Sequence, residues 1–107
     1  MASKVLGQSA PAATTYTTAL YNAPSGTSAI ASTLVVANRS SSADTYRIRV
    51  AVANAAADTK QYIAYDVAIN ANSFVTLTIG LTLAAGDYIY AGSNGGNCSF
   101  NLFGDER

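Results

Sequence analysis

From Tyr46 to Val52 the chain alternates with a period of two: Tyr46, Ile48, Val50 and Val52 share one face, Arg47, Arg49 and Ala51 the other. That spacing describes a β-strand with one face in a core and one face outside. It is the strictest constraint in the sequence, because a lone strand leaves its backbone groups unpaired and must find neighbours.

Those neighbours are readable at short intervals, each bounded by turn chemistry. Residues 13–20 are rich in Thr and Tyr, which suit a pleated surface. Pro24-Ser25-Gly26 supplies a fixed φ and then a permissive glycine, a turn with a mechanism. Residues 28–38 carry Ile30, Leu34, Val35 and Val36 across the core, and the polar run to Ala43 breaks the pattern. Residues 55–58 are read as a loop. Between 62 and 68, Tyr62, Ala64 and Asp66 are expected opposite Ile63, Tyr65 and Val67, which sends the two tyrosines to different faces. From Phe74 to Leu81 the alternation returns, with Val75, Leu77, Ile79 and Leu81 against Phe74, Thr76, Thr78 and Gly80. A turn at 84–87 leads into a strand over 87–91, Gly92 to Gly96 forms a loop tip, and 97–103 closes the fold.

About eight short strands without a convincing helix predict an all-β fold, a single antiparallel β-sandwich. Two strand orders stay open, jelly-roll and immunoglobulin-like. Residues 1–11 read as an N-terminal segment able to serve as a docking arm, 12–104 as the sandwich, and 105–107 as a short charged tail. The expected inward residues are Ile30, Leu34, Val36, Tyr46, Ile48, Val50, Val75, Leu77, Ile79, Phe100 and Leu102.

Composition narrows the function classes. The 107 residues suit one domain. Hydrophobic residues make up 50%, but many are alanine, so Val, Ile, Leu, Tyr and Phe must build the core. Charged residues are 11%, against roughly 25% in ordinary soluble domains, and the net charge is zero. With six basic residues balanced by six acidic ones, no basic stripe exists and no nucleic acid partner is expected. Histidine is absent, which removes the commonest general base and the Ser-His and Cys-His nucleophile pairs. The acids Asp44, Asp58, Asp66, Asp87, Asp105 and Glu106 are scattered through turns and the tail rather than paired. The chain therefore reads as non-enzymatic, with no cofactor and no metal. Cys98 is expected as a small buried hydrophobe. The first residues lack the long apolar region of a signal peptide, and no apolar run approaches the roughly 20 residues of a membrane span. Folding in a cytosol without membrane insertion is expected.

Two features point to a partner. Arg47 and Arg49 lie on the outward face of one strand, either as a solvated face or as a contact row for a neighbouring subunit. Val5 and Leu6, flanked by small residues, suit a strand added to a partner's sheet edge.

A resemblance supports the second reading. The series Leu20-Tyr21, Pro24-Ser25-Gly26-Thr27, Leu34-Val35-Val36-Ala37-Asn38, Tyr62-Ile63-Ala64-Tyr65-Asp66-Val67 and Leu81-Thr82-Leu83-Ala84-Ala85-Gly86-Asp87 resembles small structural proteins of tailed bacteriophages. In that group a short sandwich shows an LYxxPxGT opening, an apolar strand ending in Asn, a YxxYD strand and an LxLxAGD turn. The closing Ser99-Phe100-Asn101-Leu102-Phe103-Gly104 is similar to proteins of this length from marine and freshwater phages. The resemblance spans most of residues 3–104 and carries structural motifs rather than catalytic ones. It implies a virion protein assembled in the host cytoplasm, whose partners are other virion proteins and further copies of itself on a symmetric lattice. A capsid decoration (cement) protein bridging major capsid subunits is the first expectation. A tail-fibre or baseplate appendage that binds the host surface is the alternative.

Overall fold

The computed structural model describes residues 2–107. They form eight strands: β1 (Ala2–Ser9), β2 (Ala19–Asn22), β3 (Ala29–Asn38), β4 (Asp44–Ala51), β5 (Tyr62–Ile69), β6 (Phe74–Leu83), β7 (Tyr88–Ser93) and β8 (Cys98–Glu106). Two short 3-10 turns, Val52–Asn54 and Thr59–Gln61, bracket the β4–β5 loop. One sheet runs β1-β8-β3-β6 and the other β2-β7-β4-β5.

This order decides between the two sandwiches. The first strand pairs the last, β2 pairs β7, β3 pairs β6 and β4 pairs β5, all antiparallel. The chain is thus one long hairpin rolled up so that successive strand pairs alternate between sheets, which is the jelly-roll. The β3·β8 and β4·β7 ladders complete the two sheets.

The core fills the space between the sheets. Leu34, Val36, Phe100 and Leu102 from one meet Tyr46, Ile48, Ile89 and Ala91 from the other, all buried. The Tyr46 and Phe100 rings meet edge-on, 6.5 Å apart. Val50, Val75, Leu77 and Ile79 pack against this cluster at its margin, on the side their alternation assigns. Cys98 is a free, fully buried thiol, and burial pushes its pKa up.

Three buried polar side chains sit at turns and are satisfied there. Asp44 Oδ1 accepts from the amides of Thr45 (2.7 Å) and Gly95 (2.8 Å). Asp87 accepts from the amides of Ala53 and Ala84, each at 2.9 Å, which ties the loop after β4 to the β6–β7 turn. Asn38 Nδ2 donates to the carbonyls of Ser42 (2.9 Å) and Asn70 (3.2 Å), while its Oδ1 accepts from the Ser40 amide. These two Asp and one Asn are structural side chains that replace backbone partners at strand ends.

Several expectations are corrected. Residues 2–9 are not a separate arm but the edge strand β1, paired with β8 from Ala2↔Glu106 to Ser9↔Phe100. Met1 lies outside the described residues. Asp105 and Glu106 likewise belong to β8 rather than to a free tail, and the Lys4 ammonium meets Glu106 Oε1 at 2.5 Å. Residues 13–18 do not form a strand. Glycines draw them across β7 instead: a β-carbon on Gly92 would lie 2.1 Å from the Thr15 carbonyl oxygen, and one on Gly96 2.3 Å from the Ala13 amide. Only side-chain-free positions let the segment lie so close. Ile30 points away from the core, because Ala29 and Ala31 occupy the inward positions and a bulge between Ala31 and Thr33 then shifts the parity to Leu34 and Val36. Val52 leaves the strand in a 3-10 turn and is exposed.

Candidate interaction surface: the tyrosine and arginine face

Directly opposed residues of an antiparallel pair share a face. On the outer face of the second sheet, Arg47 opposes Gly92, Arg49 opposes Tyr90, and Ala51 opposes Tyr88. On the other side of β4, Tyr62 opposes Arg49. The face therefore reads as tyrosines interleaved with two arginines.

Arg47 is held from three sides. The absent side chain of Gly92 admits the 13–18 segment, which brings the Tyr16 ring to 4.4 Å from the guanidinium; the Tyr65 ring lies 4.1 Å away. Between these rings Nε donates to Asp66 Oδ1 (2.7 Å) and Nη2 to Asp66 Oδ2 (3.3 Å). This is a forked carboxylate pair combined with cation–π stacking. Hydrogen bonding to Asp66 holds Arg47 protonated beyond its already high ordinary value. Burial is the main cause of a raised pKa for the Tyr16 phenol.

Two register breaks in β5 make this arrangement. Ile48 pairs Ala64 while Tyr46 pairs Val67, so Tyr65 and Asp66 both stand against Arg47. Asp66 takes the left-handed conformation (φ 53°), which Asp tolerates better than most residues. A second break, between Ile48 and Arg49, lets Ile63 bulge. Tyr62 and Tyr65 therefore do not diverge as strict alternation expects: their rings meet edge to face at 4.9 Å and 88°.

Arg49 differs from the exposed residue that the alternation predicts. It is 6% exposed, stacked 4.0 Å above the Tyr90 ring, and its Nη1 donates to Gln61 Oε1 at 2.9 Å. Gln61 Nε2 in turn donates to the Ala56 carbonyl (3.0 Å), so Arg49 fastens the β4–β5 loop to the sheet. Tyr90 donates its hydroxyl to Asn54 Oδ1 (2.6 Å) and stacks against Tyr88 at 5.7 Å. Beyond these, Ala57, Asp58, Thr59, Tyr62 and Tyr65 line an open cleft of about 420 Å³. Tyr65 is 56% exposed and is the most accessible ring of the set.

The structure brings Arg47 and Arg49 onto one face but places Val5 and Leu6 on the other sheet. Val5 opposes Phe103 and is half exposed, whereas Leu6 sits at the β1 register break and packs partly against the core. The four residues do not form one patch. Sequence reasoning missed Tyr16, Tyr62, Tyr65, Tyr88 and Tyr90 as members of the surface. The shared two-residue spacing of Arg47-x-Arg49 and Tyr88-x-Tyr90 was a usable signal; nothing in the sequence announced the β5 bulge that recruits Tyr65. Among the described residues no group of three or more acidic or cysteine side chains gathers closely enough to hold a metal, and no helix is long and apolar enough to cross a membrane. Comparison with protein families, curated proteins and solved structures finds no match for this chain.

Proposed function

We propose that the chain is a non-enzymatic structural protein of a bacteriophage virion, a capsid decoration protein that seats on the shell through its tyrosine and arginine face. One observation carries this reading. Arg47 is fixed between Tyr16 and Tyr65 and paired with Asp66 on a strand of a packed sheet. Tyr and Arg are the residues enriched at the energetic centres of protein interfaces, and holding them in place before contact reduces the ordering cost of association. The sequence resemblance to phage structural proteins supplies the setting. The jelly-roll is a scaffold on which virion proteins and lectins alike are built, and counts only as analogy.

A second reading, a tail-fibre or baseplate appendage that binds the host surface, is favoured by the cleft beside Tyr62 and Tyr65. Two perpendicular rings next to the Asp58 carboxylate and the Thr59 hydroxyl suit a sugar, which stacks its C–H face and hydrogen-bonds its rim. Quantifying the chain in purified particles separates the two. The decoration role predicts a copy number matching the shell subunits. A copy number matching a tail ring overturns it in favour of the appendage, and absence from the particle overturns both.

A further inference from the structure

Each sheet of an open sandwich ends in two strands with an unpaired side, and such edges invite further pairing unless something blunts them. The four edges here are β1, β6, β2 and β5. β1 carries Lys4 and breaks register between Val5 and Gly7. β2 has four residues and its own register shift, with Pro24 close behind. β5 has two register breaks and the charged Asp66. β6 is interrupted near its far end, by a register break between Thr78 and Leu81 at which Gly80 takes a φ of 56°. Its ten residues, FVTLTIGLTL, contain no charge and no proline, and from Phe74 to Thr78 they pair residue by residue with Ala37 to Thr33. Its inward row, Val75, Leu77, Ile79 and Leu81, packs on the core margin without being fully covered, and Phe74 is 69% exposed.

We infer that β6 is a homodimer interface, in which the β6 strands of two copies pair antiparallel about a two-fold axis at Leu77 and join their sheets edge to edge. The occupant is a second copy because the strand complements itself. Reversed about Leu77, Val75 faces Ile79, Thr76 faces Thr78, and Leu77 faces its own equivalent. The pairs match in kind, β-branched against β-branched, hydroxyl against hydroxyl and leucine against leucine. A two-fold contact requires such reciprocity. With zero net charge, two copies meet without long-range repulsion. The inference does not depend on a virion role.

Sedimentation equilibrium of the purified chain over a concentration series tests it. The expected mass is twice the 11.0 kDa of one chain. Thr76 and Thr78 are exposed, so both accept substitution without touching the core. Thr76→Lys with Thr78→Lys places like charges directly opposite at two points of the dimer and should leave a folded monomer, with an unchanged far-ultraviolet dichroism spectrum. Thr76→Lys with Thr78→Glu places each introduced lysine against the second copy's introduced glutamate and should restore the dimer. A native chain that stays monomeric overturns the proposal, and if it gains a partner only on a particle, the edge belongs to another protein's strand. A dimer that survives the double lysine substitution, or a lysine–glutamate variant that stays monomeric, overturns it as well.

Discussion

At the scale of single residues, Ile48 and Glu106 show how differently two side chains hold the same sandwich. Ile48 is fully buried between the sheets, so Ile48→Ala should cost about 2–5 kcal/mol through lost burial and a residual cavity. Chemical denaturation measures this, and a variant that unfolds with the parent would mean that the β4 faces are reversed. Glu106 acts through charge. It pairs with Lys4 and accepts the Tyr21 hydroxyl at 2.5 Å, joining β1 and β2 to the end of β8. The Lys4 contact, followed by the Tyr21 hydrogen bond, holds its carboxyl below the usual range. A lowered folded pKa stabilises at pH values above the unfolded carboxyl's ordinary value of about 4.3. That contribution disappears as the pH falls further, through the folded value. Glu106→Gln should therefore flatten the stability–pH curve on the acid side below about pH 4. An unchanged acid slope would show that the pair contributes nothing.

At the scale of elements, the strands that were legible in the sequence are those whose pattern is local. β4 and β6 announce both their existence and their inward residues, because Tyr46/Ile48 and Val75/Leu77/Ile79 alternate without interruption. What escaped depends on partners elsewhere in the chain. The bulges that turn Ile30 outward and bring Tyr65 beside Tyr62 are settled between neighbouring strands and leave no mark in composition. The 13–18 segment has strand-forming residues, yet Gly92 and Gly96 far along the chain decide its course. Residues 2–9 looked detachable because Val5 and Leu6 are surrounded by small residues, but backbone pairing with β8 makes them part of the sheet. Deleting residues 1–9 should thus strip one side of β8 and destabilise the domain by about 2 kcal/mol or more, lowering Tm by roughly 10 °C or more. A truncated chain that melts with the parent would return this segment to the role of an arm. The candidate surface was half legible by the same logic: the strand alternation pointed to the Arg47 side of β4, whereas the rings around it arrive from β5, β7 and the 13–18 segment.

At the scale of the whole molecule, the jelly-roll separates two kinds of surface. The outer face of the second sheet holds rings and guanidinium groups already locked to one another, while the β6 edge offers unpaired backbone and a self-complementary sequence. In the proposed role, the face would meet a lattice and the edge a second copy. Low charge is consistent with that economy, since a surface without a strong field neither steers nor repels its neighbours. The proposed role stands on the face, and the most direct measurement is cosedimentation of the purified chain with phage particles assembled without it. The native chain should bind to a plateau at the multiplicity of the shell subunits. The double variant Arg47→Ala with Tyr65→Ala, checked for folding by its near-ultraviolet dichroism, should bind roughly 30-fold more weakly or worse, as expected when an interface centre is truncated. A folded double variant that saturates the particles with native affinity would contradict the assignment of this face as the docking surface.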